Sequence, residues 1–122
     1  MYDAQTLQCT DTTATTVYSP WFPRGGDYGI FTLELVSMSS TSANLSLSVQ
    51  LVSKNTSETG DGANVGSAIS RTGSNGAGRS QGDITAGFEE LVRYKFTLQL
   101  STGSGVNWAV FRMLAPVWYD KV

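Results

Sequence analysis

The sequence predicts an all-β fold, either an antiparallel β-sandwich or a jelly-roll-like barrel. Apolar and polar residues alternate in several segments, which is the pattern of strands with one buried and one solvated face. No ten-residue stretch carries a strong 3.6-residue helical period. Charged residues make up only 15% of the chain, against about a quarter in an average globular domain. Small polar residues and glycine replace them, which indicates a β-rich protein with a nearly neutral surface.

Residues 1–16 are polar and rich in threonine. Threonine favours extended backbone, so this segment predicts either an arm or an edge strand. We interpret residues 1–16 as a polar N-terminal arm and residues 17–122 as a single β domain. The domain begins with an irregular piece, because Pro20 and Pro23 exclude a central strand and Gly25 permits a turn.

The next two segments predict an antiparallel pair of strands. The run YGIFTLELVSM places Phe31, Leu33 and Leu35 on one face. The run LSLSVQLV alternates strictly from Leu45 to Leu51, with serines and a glutamine on the other face. The polar stretch SSTSAN joins the two runs as a turn, so each strand is expected to expose one face to water.

The alternation stops after this pair. Glycine is frequent between residues 60 and 87, and large apolar residues are scarce there. The pattern predicts one long Gly-rich loop at about residues 54–87, with at most a short strand at 65–70. Because little apolar area is present, we expect this loop to be mobile in the free protein, with Arg71 and Arg79 as the first tryptic sites.

Alternation returns in RYKFTLQL, which predicts a strand with Tyr94, Phe96 and Leu98 inward. The following run, VNWAVFRML, is apolar on both faces, so one face is expected to contact something other than the protein's own core. We therefore expect a homo-oligomer, built partly from the C-terminal residues and partly from the aromatic residues of the segment 18–23.

Residues 73–80 fit the spacing of a phosphate-binding loop, except that Arg79 stands where the lysine belongs. Such a loop binds phosphate where a strand enters it and a helix leaves it, because backbone N–H groups and the helix N-terminus hold the anion. The residues that follow, QGDITAG, show no helical period. We interpret the match as a consequence of glycine content.

Candidates for catalysis and metal binding are few. The chain has no histidine, the commonest general base and metal ligand. Glu89 and Glu90 are adjacent and point to opposite faces of a strand, so they do not readily share a proton. Asp61, Asn64 and Asp83 offer oxygen ligands but lack the order of a calcium loop. We expect no catalytic residue, no metal and no cofactor, hence a protein that is not an enzyme.

The net charge limits the kinds of binding partner, and the cysteine content and the first residues bear on the cellular compartment. The net charge is −2 and the cations are scattered, so no positive surface for nucleic acid or membrane is predicted. Cys9 is the only cysteine, which excludes an intrachain disulfide. The start MYDAQTLQ lacks the pattern of a secretion signal, and no apolar run approaches the ~20 residues of a membrane helix. We expect synthesis in a host cytoplasm.

The chain resembles the capsid decoration, or cement, proteins of tailed bacteriophages. The resemblance is carried by the segments MYDAQTLQCTDTTATT, FTLELVSM, LSLSVQLV and RYKFTLQL, by the Gly-rich segment, and by the terminal block WAVFRMLAPVWY. It implies a compact β fold that binds the major capsid protein on the virion as a homotrimer. The implied function is structural stabilisation of the capsid without catalysis.

The candidate interface consists of two kinds of residue. They are the aromatic residues that lie near prolines and the arginines of the Gly-rich segment. Such aromatic residues fill a core, anchor a protein interface or stack on a sugar, and all three interpretations stay open. The candidate interface residues are Tyr18, Trp21, Phe22, Arg71, Arg79, Trp118 and Tyr119. The alternative function is a carbohydrate-binding β-sandwich module of a fibre or tail protein, in which exposed tryptophans stack on the sugar.

Overall fold

The structure, a computed structural model, describes residues 2–121. Within these residues the chain forms ten strands and no helix. The strands are β1 Gln5–Thr10, β2 Thr15–Tyr18, β3 Phe22–Pro23, β4 Tyr28–Met38, β5 Leu45–Lys54, β6 Ala63–Thr72, β7 Gly78–Ile84, β8 Leu91–Leu100, β9 Val106–Met113 and β10 Val117–Tyr119. Every second residue of β4, β5 and β8 is buried along most of the strand, as the alternation in the sequence predicts.

Two antiparallel sheets contain all ten strands. Sheet A has the spatial order β1, β9, β4, β7. β10 pairs with residues 28–30 of β4. It lies on the same side of β4 as β9, since β7 pairs with residues 29 and 30 from the other side. Sheet B has the order β2, β8, β5, β6, and the short β3 also pairs with β8. The consecutive strands β6 and β7 are therefore edge strands of different sheets.

The core lies between the two sheets and joins them through aromatic contacts. The rings of Phe96 in sheet B and Phe111 in sheet A are 5.0 Å apart, and those of Tyr94 and Phe31 are 6.2 Å apart. Phe31, Tyr94, Phe96 and Phe111 are all almost fully buried. The predicted β-sandwich is thus confirmed, and the sheets are not closed into a barrel.

The prediction of a polar N-terminal arm over residues 1–16 is wrong for residues 5–10 and for Thr15 and Thr16, which pair with β8. β1 pairs with β9 along its whole length, and Leu7 and Cys9 are buried in the core. The alternative prediction of an edge strand is confirmed, because β1 is the outermost strand of sheet A. Two apolar residues at a spacing of two give this polar segment a single buried face, and that face is enough to hold it on the sandwich.

The prediction of one long Gly-rich loop over residues 54–87 is also wrong, because β6 and β7 occupy half of it. The short strand predicted at 65–70 is confirmed and extends from Ala63 to Thr72. Several glycines here allow close approach: a Cβ on Gly82 would come within 2.8 Å of the Ile69 side chain. Arg71 and Arg79 lie in these two strands. The mobility and early tryptic cleavage predicted for the segment therefore no longer follow for β6 and β7.

A tight turn at residues 72–76 connects β6 to β7. Arg71 holds the turn, since its guanidinium donates to the carbonyl of Gly76 at 2.9 Å and to that of Arg79 at 2.9 Å. Residues 73–80, which fit the phosphate-loop spacing, thus form this turn and the start of β7, and no helix follows them. A helix long and apolar enough to cross a membrane is absent from residues 2–121.

Candidate protein-binding face

The outer face of sheet A, which points away from sheet B, carries exposed apolar side chains. Val106 and Trp108 of β9 keep 61% and 36% of their area exposed, and Val36 of β4 keeps 46%. Val110 of β9 is partly exposed and pairs with Ser37, the residue after Val36. We call Val36, Val106, Trp108 and Val110 the apolar patch. Side chains of this kind in one place are typical of a binding surface.

The apolar patch exists because β9 is apolar on both faces. Ala109, Phe111 and Met113 point into the core and are fully buried. The alternate residues Trp108 and Val110 therefore point outward. One face of β9 thus lies outside the protein's own core, and its contact with something else stays a prediction.

A row of three charged side chains lies next to the apolar patch. Glu34 of β4 pairs with Arg112 of β9 on one side and with Arg79 of β7 on the other. The Nε atoms of Arg79 and Arg112 lie 2.8 and 2.9 Å from the two carboxylate oxygens of Glu34. Hydrogen bonds from Arg79 and then Arg112 lower the pKa of Glu34 below its ordinary value.

Acid should weaken the ion pairs that Glu34 forms with Arg79 and Arg112, and the pKa of Glu34 should depend on Arg79. Because the folded-state pKa of Glu34 is lowered, its contribution to stability is present above the unfolded pKa of about 4.3 and is lost as the pH falls through the folded pKa. Carbon-detected NMR titration of the Glu34 carboxyl should show a higher pKa in Arg79→Ala than in the parent protein. Lys95→Ala, on the other sheet, is the matched control and should leave the value unchanged. Equal pKa values in the parent and Arg79→Ala would contradict the assignment.

Trp118 and Tyr119, two predicted interface residues, lie outside the apolar patch. The ring of Trp118 packs edge-on against Phe31 at 5.3 Å and against Phe88 at 5.2 Å, so it closes one end of the core. Tyr119 packs against Tyr28 and donates its hydroxyl to Asp83 at 2.6 Å, which fastens β10 across sheet A. Of the three interpretations given for the aromatic residues, filling of the core is therefore the one that applies to Trp118.

Tyr18 and Trp21 lie on the sheet B side, where they enclose a cation. The Arg93 guanidinium carbon is 4.0 Å from the Tyr18 ring centre and 4.3 Å from that of Trp21. Lys54 Nζ also lies over the Trp21 ring, at 4.8 Å. Phe22 turns toward the core and packs on Tyr94 at 5.3 Å. The two cations compete with any sugar for the ring of Trp21.

The residues that we expected to share one oligomer surface are thus divided among several places. Tyr18 belongs to sheet B and Trp21 lies beside it, Trp118 packs on the core, and the exposed apolar residues of β9 belong to sheet A. The guanidinium of Arg71 is used within its own turn, whereas Arg79 lies in the charged row beside the apolar patch. Of the seven predicted interface residues, Arg79 is the one adjacent to the patch.

Trp108 and Val106 are not among the candidate interface residues that the sequence suggested. Both residues belong to the run VNWAVFRML, which is apolar on both faces. Within that run, the alternation that buries Ala109 and Phe111 also identifies Trp108 and Val110 as the outward residues. The tryptophan with an exposed ring was therefore identifiable without the structure.

Reactive groups are sparse among residues 2–121. No group of three or more His, Cys, Asp or Glu side chains is arranged there to hold a metal ion. Cys9 is buried, and burial raises the pKa of its thiol. Comparisons of the sequence with protein-family models and with curated proteins found no match. The apolar patch with the row of charges beside it is thus the most distinctive surface of the described residues.

Proposed function

We propose that this chain is a non-enzymatic structural protein that binds and stabilises a virion shell, as a capsid decoration protein with the major capsid protein as its partner. The observation that supports the proposal best is the apolar patch around Trp108. Tryptophan and arginine are, with tyrosine, the residue types enriched among the energetically dominant residues of protein interfaces. Here Trp108 lies in an apolar patch, with Arg79 and Arg112 in the adjoining row.

The position of the apolar patch on a rigid strand also suits a protein that stabilises a shell by binding to it. Val106, Trp108 and Val110 lie on β9, a central strand of sheet A that is paired on both sides. A rigid strand loses little conformational entropy on binding, so more of the contact energy appears as affinity. A protein that binds only the assembled shell stabilises that shell by mass action.

Trp108→Ala should weaken binding to purified shells by about tenfold or more, which corresponds to at least about 1.4 kcal/mol. Mass spectrometry of purified particles first shows whether the chain is present at a copy number comparable to that of the shell protein. Co-sedimentation with particles that lack the chain then measures affinity. Trp21→Ala, on sheet B, is the matched control and should bind as the parent protein does. Absence from particles would refute the shell function. If Trp21→Ala loses binding and Trp108→Ala does not, the contact with the shell lies on the sheet B side.

The carbohydrate-binding alternative stays a prediction from the sequence. It requires an exposed ring with a free face, and Trp21 already has Arg93 and Lys54 over its ring. A glycan array that shows specific binding lost in Trp21→Ala would favour this alternative over shell binding.

A further inference from the structure

The edge strand β7 has one side without a strand partner. It pairs with β4 along residues 78–84, and among the described residues no strand pairs with its other side. That side borders β6, and the two strands line a cleft of about 360 Å³ formed by residues 67–70 and 80–84. Space is therefore present beside a row of backbone groups that can form hydrogen bonds.

Arg71 shows which backbone groups of β7 face this side. Arg71 belongs to β6, and its Nη1 donates to the Arg79 carbonyl at 2.9 Å. The Arg79 carbonyl therefore points away from β4, the strand with which β7 pairs. In an antiparallel ladder the N–H and C=O of alternate residues point to the same side. Gln81 and Asp83 therefore also present their backbone groups to the open side. Because the Arg79 carbonyl already accepts a hydrogen bond from Arg71, the groups left for a second strand are the Arg79 N–H and the N–H and C=O groups of Gln81 and Asp83. The side chains of all three residues are exposed on the outer face of sheet A.

The charges on this edge are complementary to a second copy of the same edge. Along β7, Arg79 is positive, Gln81 is neutral and Asp83 is negative. An antiparallel copy centred on Gln81 places each Arg79 opposite Asp83 of the second copy. Opposite charges in directly facing positions stabilise a strand pair, and like charges destabilise it. A register centred on Arg79 or on Asp83 would instead oppose like charges, so the charges select one register.

Both charged side chains keep hydrogen-bonding groups for such a contact. Arg79 donates only its Nε, to Glu34, among the hydrogen bonds formed by residues 2–121. Asp83 accepts the Tyr119 hydroxyl with Oδ1, which leaves Oδ2 for a second donor. An Arg79 Nη group and the Asp83 Oδ2 of the second copy can therefore pair without breaking either existing bond.

We propose that two copies of this chain associate through their β7 edges around a two-fold axis at Gln81, which joins the two A sheets into one continuous sheet. The contact is closed, because each edge satisfies the other and leaves no further edge of the same kind. It differs from the trimer that the phage resemblance implies. The axis is perpendicular to the joined sheet, so the apolar patches of both copies face the same direction, as two-point attachment to a larger surface requires.

Sedimentation velocity and native mass spectrometry of the isolated full chain test the proposal without any shell, so the outcome is independent of the proposed function. The expected species is a dimer. Arg79→Asp and Asp83→Arg should each weaken the dimer by about tenfold or more, because either change turns both ion pairs into like-charge contacts. The double variant Arg79→Asp/Asp83→Arg should restore the dimer, a result that mere structural damage would not produce. A monomer at high micromolar concentration, a trimer, or a double variant without rescue would each overturn the proposal.

Cross-linking tests the register itself. In the proposed dimer the two Gln81 Cα atoms face each other at about 5.5 Å, a separation that a disulfide spans. Gln81→Cys should therefore form a covalent dimer under mild oxidation, while the native Cys9 is buried. Gln99→Cys, an exposed position on sheet B, is the control and should cross-link far less. Equal cross-linking of the two variants would refute the Gln81 axis.

Discussion

Replacing Phe31 with alanine should lower the free energy of unfolding by about 4 kcal/mol. Phe31 is fully buried on β4, and its ring lies 5.3 Å from Trp118 and 5.8 Å from Phe88. Truncation removes these contacts and leaves a cavity. The sheets cannot close it, because hydrogen-bonded ladders hold β4 on both sides. The expected loss is a large part of the roughly 5–15 kcal/mol that stabilises a typical domain.

Urea denaturation of Phe31→Ala and of the parent protein measures this loss. The matched control is Val36→Ala on the same strand. Val36 points to solvent, so its truncation should change stability by less than about 0.5 kcal/mol. Similar losses in the two variants would show that the sandwich core does not lie where the structure places it.

Trp118→Ala should destabilise the protein by about 3 kcal/mol. The expected loss is smaller than for Phe31 because Trp118 is only partly buried. Its indole closes one end of the core and also supports the chain around Gly25, where an added Cβ would come within 2.5 Å of the ring. The variant therefore loses aromatic contacts with Phe31 and Phe88 together with the packing of the segment before β4.

The comparison with Trp108→Ala separates a core tryptophan from a surface tryptophan. Trp108 lies on the outer face of sheet A, so its removal should change the thermal midpoint little while weakening the contact to the shell. Trp118→Ala should instead lower the midpoint by several degrees or more. If Trp108→Ala is the destabilised variant and Trp118→Ala is neutral, the assignment of the two residues is wrong.

Local alternation was sufficient to predict the strands that form the centre of each sheet. Phe31, Leu33 and Leu35 share a buried face of β4, and the alternating run from Leu45 to Leu51 is β5, as expected. The same reasoning found only the part of β6 at residues 65–70 and missed β7, because glycine there replaces side chains that would mark a strand. Gly66 and Gly82 are needed because β6 and β7 approach closely, a contact between segments that the alternation of neither reveals.

The sequence by itself determined that this protein is all-β, which segments form its central strands, and that β9 is apolar on both faces. The tertiary structure alone decided that the two sheets form a sandwich and not a barrel, that Trp118 packs on the core, that Glu34 lies between Arg79 and Arg112, and that β7 is an edge strand. The reason is physical. The face on which a side chain lies depends on the residues next to it along the chain. A neighbour across the sheet depends on the pairing of segments that are dozens of residues apart, and one sequence carries no local signal for that pairing.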